Sequence, residues 1–397
     1  MYFFMLFFLV NFISAATDLE KRVAFLEQEL ANIKKSRPRP IIKGFILQDY
    51  AAFSVNDQMK AGLNPATKDS SGLRRAHFGV AGKYNEKISY NFCYDFARSS
   101  NVEPRQVFLK YRGKSGRALF LGHTKEPFGL ESINLMKNRV FMEPAVSVIF
   151  SPCFNSGLLL TDENTNRKFS WSFGLFNDDT NNDARTGFVG SANWNRTLRA
   201  VYTPVYKNGG RQVLHLGGAY SYRNSNGTNL RFRGKPESSL WNINFVDSGN
   251  MIADNAELNN LEFAWVRGPF SMQAEFVNAE LKPLIGGAYK FSGHYVMASY
   301  FLTGEHRNYN RESRIFGLVK PAKGFTDGGR GAWELAVRHS QADLNSGPVA
   351  GGEISNWTLG LNWTPIKDTR IMWNYVRSDL ERAGSAESIN MRLQFEF

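Results

Sequence analysis

The sequence predicts an all-β fold: a transmembrane antiparallel β-barrel of about 16 strands, preceded by a short α-helical coiled coil. Three observations carry this. Period-two alternation of apolar and polar side chains dominates residues 41–397, which is how a strand with two unlike faces reads. Connectors alternate between short turns and longer polar loops, as in outer-membrane barrels. The chain of 397 residues holds 32 Phe, 15 Tyr and 8 Trp, yet is only 43% hydrophobic. Lipid-facing residues diluted by water-facing ones produce that combination. No internal apolar run approaches the roughly 18 residues of a membrane-spanning helix.

The elements follow in order. Residues 1–16 are apolar and Phe-rich and end in small residues at Ser14 and Ala16, as a secretory signal peptide does, with cleavage expected after Ala16. Over 17–36, Leu19, Val23, Leu26, Leu30 and Ile33 follow a 4-3-4-3 spacing, the seam of a heptad repeat. Thr17 or Asp18 can cap the helix, and Lys34 and Lys35 suit the negative end of its dipole. About two heptads are too few for an isolated helix, so association is expected. Residues 37–40 form a Pro-rich linker in which Pro38 and Pro40 stop the helix.

From Ile41 the period is two. Ile389, Met391, Leu393 and Phe395 alternate with Asn390, Arg392, Gln394 and Glu396, and Trp357, Leu359, Leu361 and Trp363 behave likewise. Short turns are read at 207–210, 267–269 and 366–368, and long loops at 56–72, 177–193, 223–238 and 341–354. Trp and Tyr near strand ends suit interfacial girdles. About 355 residues at roughly 20–24 per strand and connector give about 16 strands. A soluble β-sandwich also alternates, but the leader, the aromatic load and the terminal strand ending on Phe397 favour the barrel.

Several stretches resemble the phosphate-selective porin O and P family. Residues 120–131 read FLGHTKEPFGLE, similar to its "LG…K.PFGLE" segment. Gly44–Tyr50, Leu73–Gly79, Phe141–Glu143, Arg199–Pro204, Ala298–Glu305 and Gly331–Ala336 resemble further family segments in the same order. The resemblance implies a homotrimer of 16-stranded barrels, with a third loop folded into each pore and arginines and lysines along an anion path. It also implies the outer membrane of a Gram-negative bacterium, with the coiled coil in the periplasm. Expected partners are further copies of the chain, inorganic anions such as phosphate, and outer-membrane lipid and lipopolysaccharide.

The inward loop is expected at about 125–148, carrying Lys125, Lys137 and Arg139 with Glu126, Glu131 and Glu143. Cations in a narrow, low-dielectric pore concentrate anions, and the planar guanidinium pairs with two oxyanion oxygens. Parity around Phe78 and Val80 puts Arg75 and His77 in the lumen and Arg74 outside, unless a bulge turns it inward. Arg338 and Arg392 also face the lumen, with Glu334 or Glu396 as expected partners. The candidate anion path is therefore Arg74, Arg75, Lys125, Lys137, Arg139, Arg338 and Arg392. The loop acids could equally balance its cations, as in a general non-selective porin. A surface-exposed structural or adhesin barrel is the third reading.

The six histidines are scattered without ligand spacing, and no nucleotide, zinc-protease or CxxC motif occurs. No cofactor, metal or catalytic residue is expected, and no enzyme activity. The net charge of +12 comes without a basic-aromatic nucleic-acid module, so no nucleic acid is expected and a lumenal or lipopolysaccharide-facing role is assigned. Cys93 and Cys153 are the only cysteines, and an exported compartment permits their pairing without requiring it.

Overall fold

The computed structural model describes residues 20–29, 39–97, 101–177 and 193–397. Sixteen antiparallel strands close into a barrel. In chain order they are β1 (Ile41–Val55), β2 (Ser70–Lys83), β3 (Ile88–Asp95), β4 (Glu103–Arg112), β5 (Arg117–Lys125), β6 (Phe154–Asp162), β7 (Phe169–Asn177) and β8 (Trp194–Lys207). The second half comprises β9 (Gln212–Leu230), β10 (Met251–Arg267), β11 (Phe270–Pro283), β12 (Tyr289–Phe301), β13 (Ala332–Ser346), β14 (Val349–Ile366), β15 (Thr369–Leu380) and β16 (Gly384–Glu396). Closure comes from β1 pairing with β16, where Gly44 and Phe397 exchange backbone hydrogen bonds of 2.9 and 3.1 Å. A closed sheet has no edge, so its ladders need no water to satisfy the backbone.

The strand alternation matches the sequence reading. On β16, Ile389, Leu393 and Phe395 are exposed on the outer face, while Asn390, Arg392 and Gln394 are buried in the lumen. The turns at 208–211, 268–269 and 367–368 are short and lie at the end that holds both barrel termini. That end is periplasmic by the short-turn rule.

Two expected loops, and the expected alternation of short turns and long loops, need correction. Residues 341–354 are not a long loop, because β13 and β14 run through them to a turn of two residues, Gly347 and Pro348. Likewise β9 extends to Leu230, so only the latter part of 223–238 is loop. The physical reason is a reversal of the barrel pattern. Towards the long-loop end, the lumenal face is apolar (Ala256, Leu258, Ala342, Leu344, Ile354) and the outer face polar (Asn259, Gln341, Asp343). Outward-facing polar residues made these strand ends read as loops. Their apolar lumenal face packs on residues 231–250, whose Trp241, Phe245 and Val246 are buried with it.

The third correction is at the short-turn end. Residues 302–331 link β12 and β13 and form a two-stranded ribbon, Asn308–Asn310 with Ile315–Gly317. The long connection 56–69 carries a helix, Asp57–Gly62, capped by the Asn56 side chain.

The expected signal peptide (1–16) lies outside the described residues, as does most of the heptad seam. The described part, 20–29, is helical, and its Val23, Phe25 and Leu26 are exposed. Residues 178–192 of the expected loop 177–193 also lie outside. Regular barrel structure begins at Ile41, after the expected linker.

Candidate pore constriction

The connection 126–153 between β5 and β6 folds into the barrel, a little longer than the expected 125–148. Its entry is set at Gly129, whose φ of +74° suits glycine. The following two amides, Leu130 and Glu131, then point together at Glu275 on β11, donating at 2.8 and 2.7 Å. Further along, wall side chains take up the loop backbone. Met142 N–H donates to Asn374 (2.8 Å), Asn362 donates to the Val140 carbonyl (2.9 Å) and Arg370 to the Arg139 carbonyl (2.6 Å). Phe141 and Val140 pack on Tyr295, Met297 and Ala336 of the wall.

The three loop acids all turn to the wall. Glu126 meets Arg223 of β9 at 2.7 Å, and Glu131 meets Arg338 of β13 at 3.1 Å. Glu143 holds Arg74 through two bonds of 2.6 and 2.9 Å and Arg392 through one of 2.9 Å. The expected strand neighbours are not the partners. Arg338 takes Glu131 and Glu237, and Arg392 takes Asp49 and Glu143, while Glu334 pairs with Arg370 and Glu396 with Lys137. Asp49 is the cross-strand neighbour of Arg392 in the closing β1–β16 register, while Glu131, Glu143, Glu237 and Lys137 are carried to the wall by inserted segments.

Arg74 is buried, not outside. The β1–β2 register passes from Leu47↔Arg75 to Gln48↔Leu73, leaving Arg74 as the bulged residue. A bulge lets two consecutive side chains face one way, so Arg74 and Arg75 both point inward. The same device acts at Arg105, skipped where the β3–β4 register passes from Gln106 to Pro104.

Four candidates come together with two cations that the sequence reading did not single out. Arg75 pairs with Asp95 at 2.8 Å, and Arg105 shares Asp95 at 3.3 Å and also pairs with Glu103. Lys125 donates to the carbonyls of Ser132 and Asn134 at 2.5 and 2.9 Å and lies within electrostatic reach of Arg139, Arg105 and Arg75. Lys137 lies within reach of Lys43. Phe154 is flanked by Arg105 and Lys125, at 5.5 and 5.3 Å from its ring centre. Six cations (Lys43, Arg75, Arg105, Lys125, Lys137 and Arg139) thus face three carboxylates (Asp95, Glu103 and Glu396). Arg74, Arg338 and Arg392 instead clasp loops to the wall. Lys43 was legible only as a strand-start lysine, and Arg105 was hidden by its bulge.

The ribbon of 302–331 closes on this constriction from the short-turn end. Tyr309 packs with Phe316, Leu130, Val213 and Val266, and its hydroxyl bonds His215 at 2.7 Å. His215 in turn meets Glu262 at 3.0 Å, and Glu262 is held by Arg199 through two bonds. Arg314 donates to the Arg167 carbonyl at 2.6 Å. At the tip, Glu312 and Glu163 meet Lys110 and Arg112 of β4. Burial raises the Glu163 carboxyl above its usual range. Burial acts the same way on Glu312, but Lys110 and Arg112 outweigh it and hold that group below the usual range. Arg307 lies 3.6 Å over the Phe316 ring and donates to Gln273. Burial pushes its guanidinium down to about 10, which leaves it charged at neutral pH.

Cys93 and Cys153 are free thiols. Among the described residues, no group of three or more His, Cys, Asp or Glu side chains is placed to hold a metal ion.

The family model for phosphate-selective porin O and P matches residues 46–397. An uncharacterized protein of Caulobacter vibrioides is 28% identical over 322 residues, 78% of this chain and 63% of the relative. The chain therefore spans less than two thirds of that relative's length. Porin O of Pseudomonas aeruginosa is 26% identical over 361 residues, 80% of this chain and 79% of its own. Among solved structures, the anion-selective porin from Comamonas acidovorans aligns with a TM-score of 0.59 at 13% identity, over 90% of this chain and 99% of its own. The DcaP channel of Acinetobacter baumannii gives 0.54 at 10% identity, over 90% and 97%.

Proposed function

This chain belongs to the phosphate-selective porin O and P family, and from that premise we propose that it is an outer-membrane diffusion channel that prefers anions, small oxyanions such as phosphate among them. The observation that carries the reading is the use made of charge at the constriction. All three loop acids are engaged by wall arginines, whereas Arg75, Arg105, Lys125, Lys137, Arg139 and Lys43 gather against three carboxylates. Excess positive charge between low-dielectric walls raises the local anion concentration. Several moderate sites, each already partly engaged, allow an anion to be handed on instead of trapped.

Purified protein in a planar bilayer tests this. In a KCl gradient the reversal potential should show anion preference, and millimolar phosphate should lower the chloride current. A cation-preferring reversal potential overturns the reading. Anion preference without phosphate block reduces it to a general anion porin.

The working unit is a homotrimer, with residues 17–36 as a periplasmic coiled coil behind a removed leader at 1–16. Support comes from the heptad spacing and from the helix over 20–29 with its exposed apolar side chains. Deleting residues 18–35 should lower the temperature at which the oligomer dissociates on a gel and leave single-channel conductance unchanged. Loss of the folded barrel would show that the helix is part of the fold.

A further inference from the structure

The outer wall carries a feature that conduction does not use. Over β12–β15 the lipid-facing surface sinks into an apolar groove of about 610 Å³. Ala298, Leu335, Leu361, Tyr300 and Trp373 are among the residues that line it. The register explains the shape. Tyr300, Leu335, Leu361 and Trp373 lie in one row across four strands. Two branched aliphatic residues between two large rings leave a trough, and the small Ala298 prolongs it towards the membrane centre.

At its periplasmic end the groove meets a built rim. Trp333 and Trp363 pair across β13 and β14 and stack at 5.3 Å. Both indole N–H groups donate to the carbonyl of Arg330, at 3.2 and 2.9 Å. These two hydrogen bonds to one oxygen fix the returning arm of the 302–331 connection against the girdle. The arm is folded by Gly329 N–H to Gly324 (2.8 Å) and Gly331 N–H to Lys323 (3.3 Å). It presents Phe325, 64% exposed and edge-on to Trp363, and carries Lys320, Lys323 and Arg330, all exposed.

We propose that this groove and rim form a binding site for an anionic phospholipid of the periplasmic leaflet. One acyl chain lies in the groove, Phe325 and the two indoles sit at the depth of the glycerol backbone, and Lys320, Lys323 and Arg330 hold the phosphate head group. Indoles occupy the interfacial level by their mixed character, and basic side chains beside it attract anionic head groups. The three cations at the rim stand against Asp327 and the Glu305 carboxylate, which accepts from Ala322 N–H at 3.0 Å, so the local balance is still positive and complements an anionic head group better than a zwitterionic one. The groove lining is predominantly apolar, which suits an acyl chain.

Native mass spectrometry of the full chain in detergent, titrated with phosphatidylglycerol and with chain-matched phosphatidylethanolamine, tests the site. Phosphatidylglycerol adducts should be retained at least about fivefold better, the order that a few basic side chains near a head group supply. The variant K320E/K323E/R330E should lose that preference. Ala298→Trp, which fills the groove, should lose adducts of both lipids while the barrel keeps its heat-modifiable mobility. Lys290→Glu, at the opposite end of β12, should change nothing. Equal retention of the two lipids by the wild type, or an unaltered preference in the triple variant, overturns the proposal. So does an Ala298→Trp protein that falls apart into subunits with its lipid adducts intact, because a second copy of the chain then covers the groove. Conduction is not read, so failure here leaves the channel reading standing.

Discussion

Replacing Arg338 by Ala should raise single-channel conductance severalfold and weaken anion preference. Arg338 is the clasp between two inserted segments. It meets Glu131 at 3.1 Å, donates to the Glu143 carbonyl at 3.1 Å and also pairs with Glu237. Its guanidinium lies 4.4 Å over the ring of Phe141. Glu131 and Glu237 have almost no exposed side-chain surface. Removing the cation leaves two buried carboxylates facing each other, at a cost of about 3–5 kcal/mol. The loop can relieve that cost by moving Glu131 towards water, and the closed wall persists because its ladders are backbone bonds, which Arg338→Ala leaves in place between Met297, residue 338 and Thr358. Loss of one positive charge and a wider constriction both lower anion preference. Arg338→Lys should recover only part of the effect, because a single ammonium cannot bridge two carboxylates and a carbonyl in the fork geometry. Bilayer recordings check this, and wild-type conductance in Arg338→Ala would remove the clasp from the account.

The second large effect is expected at the short-turn end. The double variant Tyr309→Ala, Arg314→Ala should free the ribbon, and with it the packing of Tyr309 on Leu130 of the inward loop, and raise conductance again. Tyr309 is 3% exposed and joins a small apolar cluster, so truncating it costs roughly 3–5 kcal/mol. Arg314 is 2% exposed and ties the ribbon to the carbonyl of Arg167. What then remains is the Arg307 bond to Gln273, the Asn138 bond to the Phe316 carbonyl and, at the tip, Glu312 with Lys110 and Arg112, a partly exposed cluster. Exposed pairs contribute about 0–1 kcal/mol each and weaken with salt. The conductance gain should therefore grow with ionic strength faster than bulk conductivity does. Heat-modifiable mobility reports whether the barrel itself is intact. A variant with an intact barrel and unchanged current would show that the ribbon does not limit flow.

The two variants also show where the sequence was legible and where it was not. Strand faces were readable because alternation is local. Phe78, Leu335, Ile389 and Leu393 reveal their outward direction by their immediate neighbours, and the structure exposes all four. The reading failed where something non-local interrupts that rule. At Arg74 and Arg105 a bulge inserts one residue, and nothing in the residue types marks it. At Ala342 and Leu344 the lumen holds protein instead of water, so the apolar face turns inward and the polar outer face resembles a loop. The ribbon was missed because Asn308–Gly317 sits at the end where short turns were expected, and its apolar residues are too few for a pattern.

The charged residues draw the same line. Lumenal arginines at 75, 338 and 392 follow from parity, and the inward loop follows from its resemblance to family members. Their chemistry does not. Arg392 pairs with Asp49, 343 positions away, and Arg338 with Glu237, 101 positions away. The sequence by itself determined the barrel, its strand number and the sign of its charge, because period and composition are properties of short windows. Which cations clasp a loop and which remain beside the path was decided only by the tertiary structure. A buried charge takes the partner that closure and loop insertion place within about 3–4 Å, and that distance does not exist until the sixteen strands have closed.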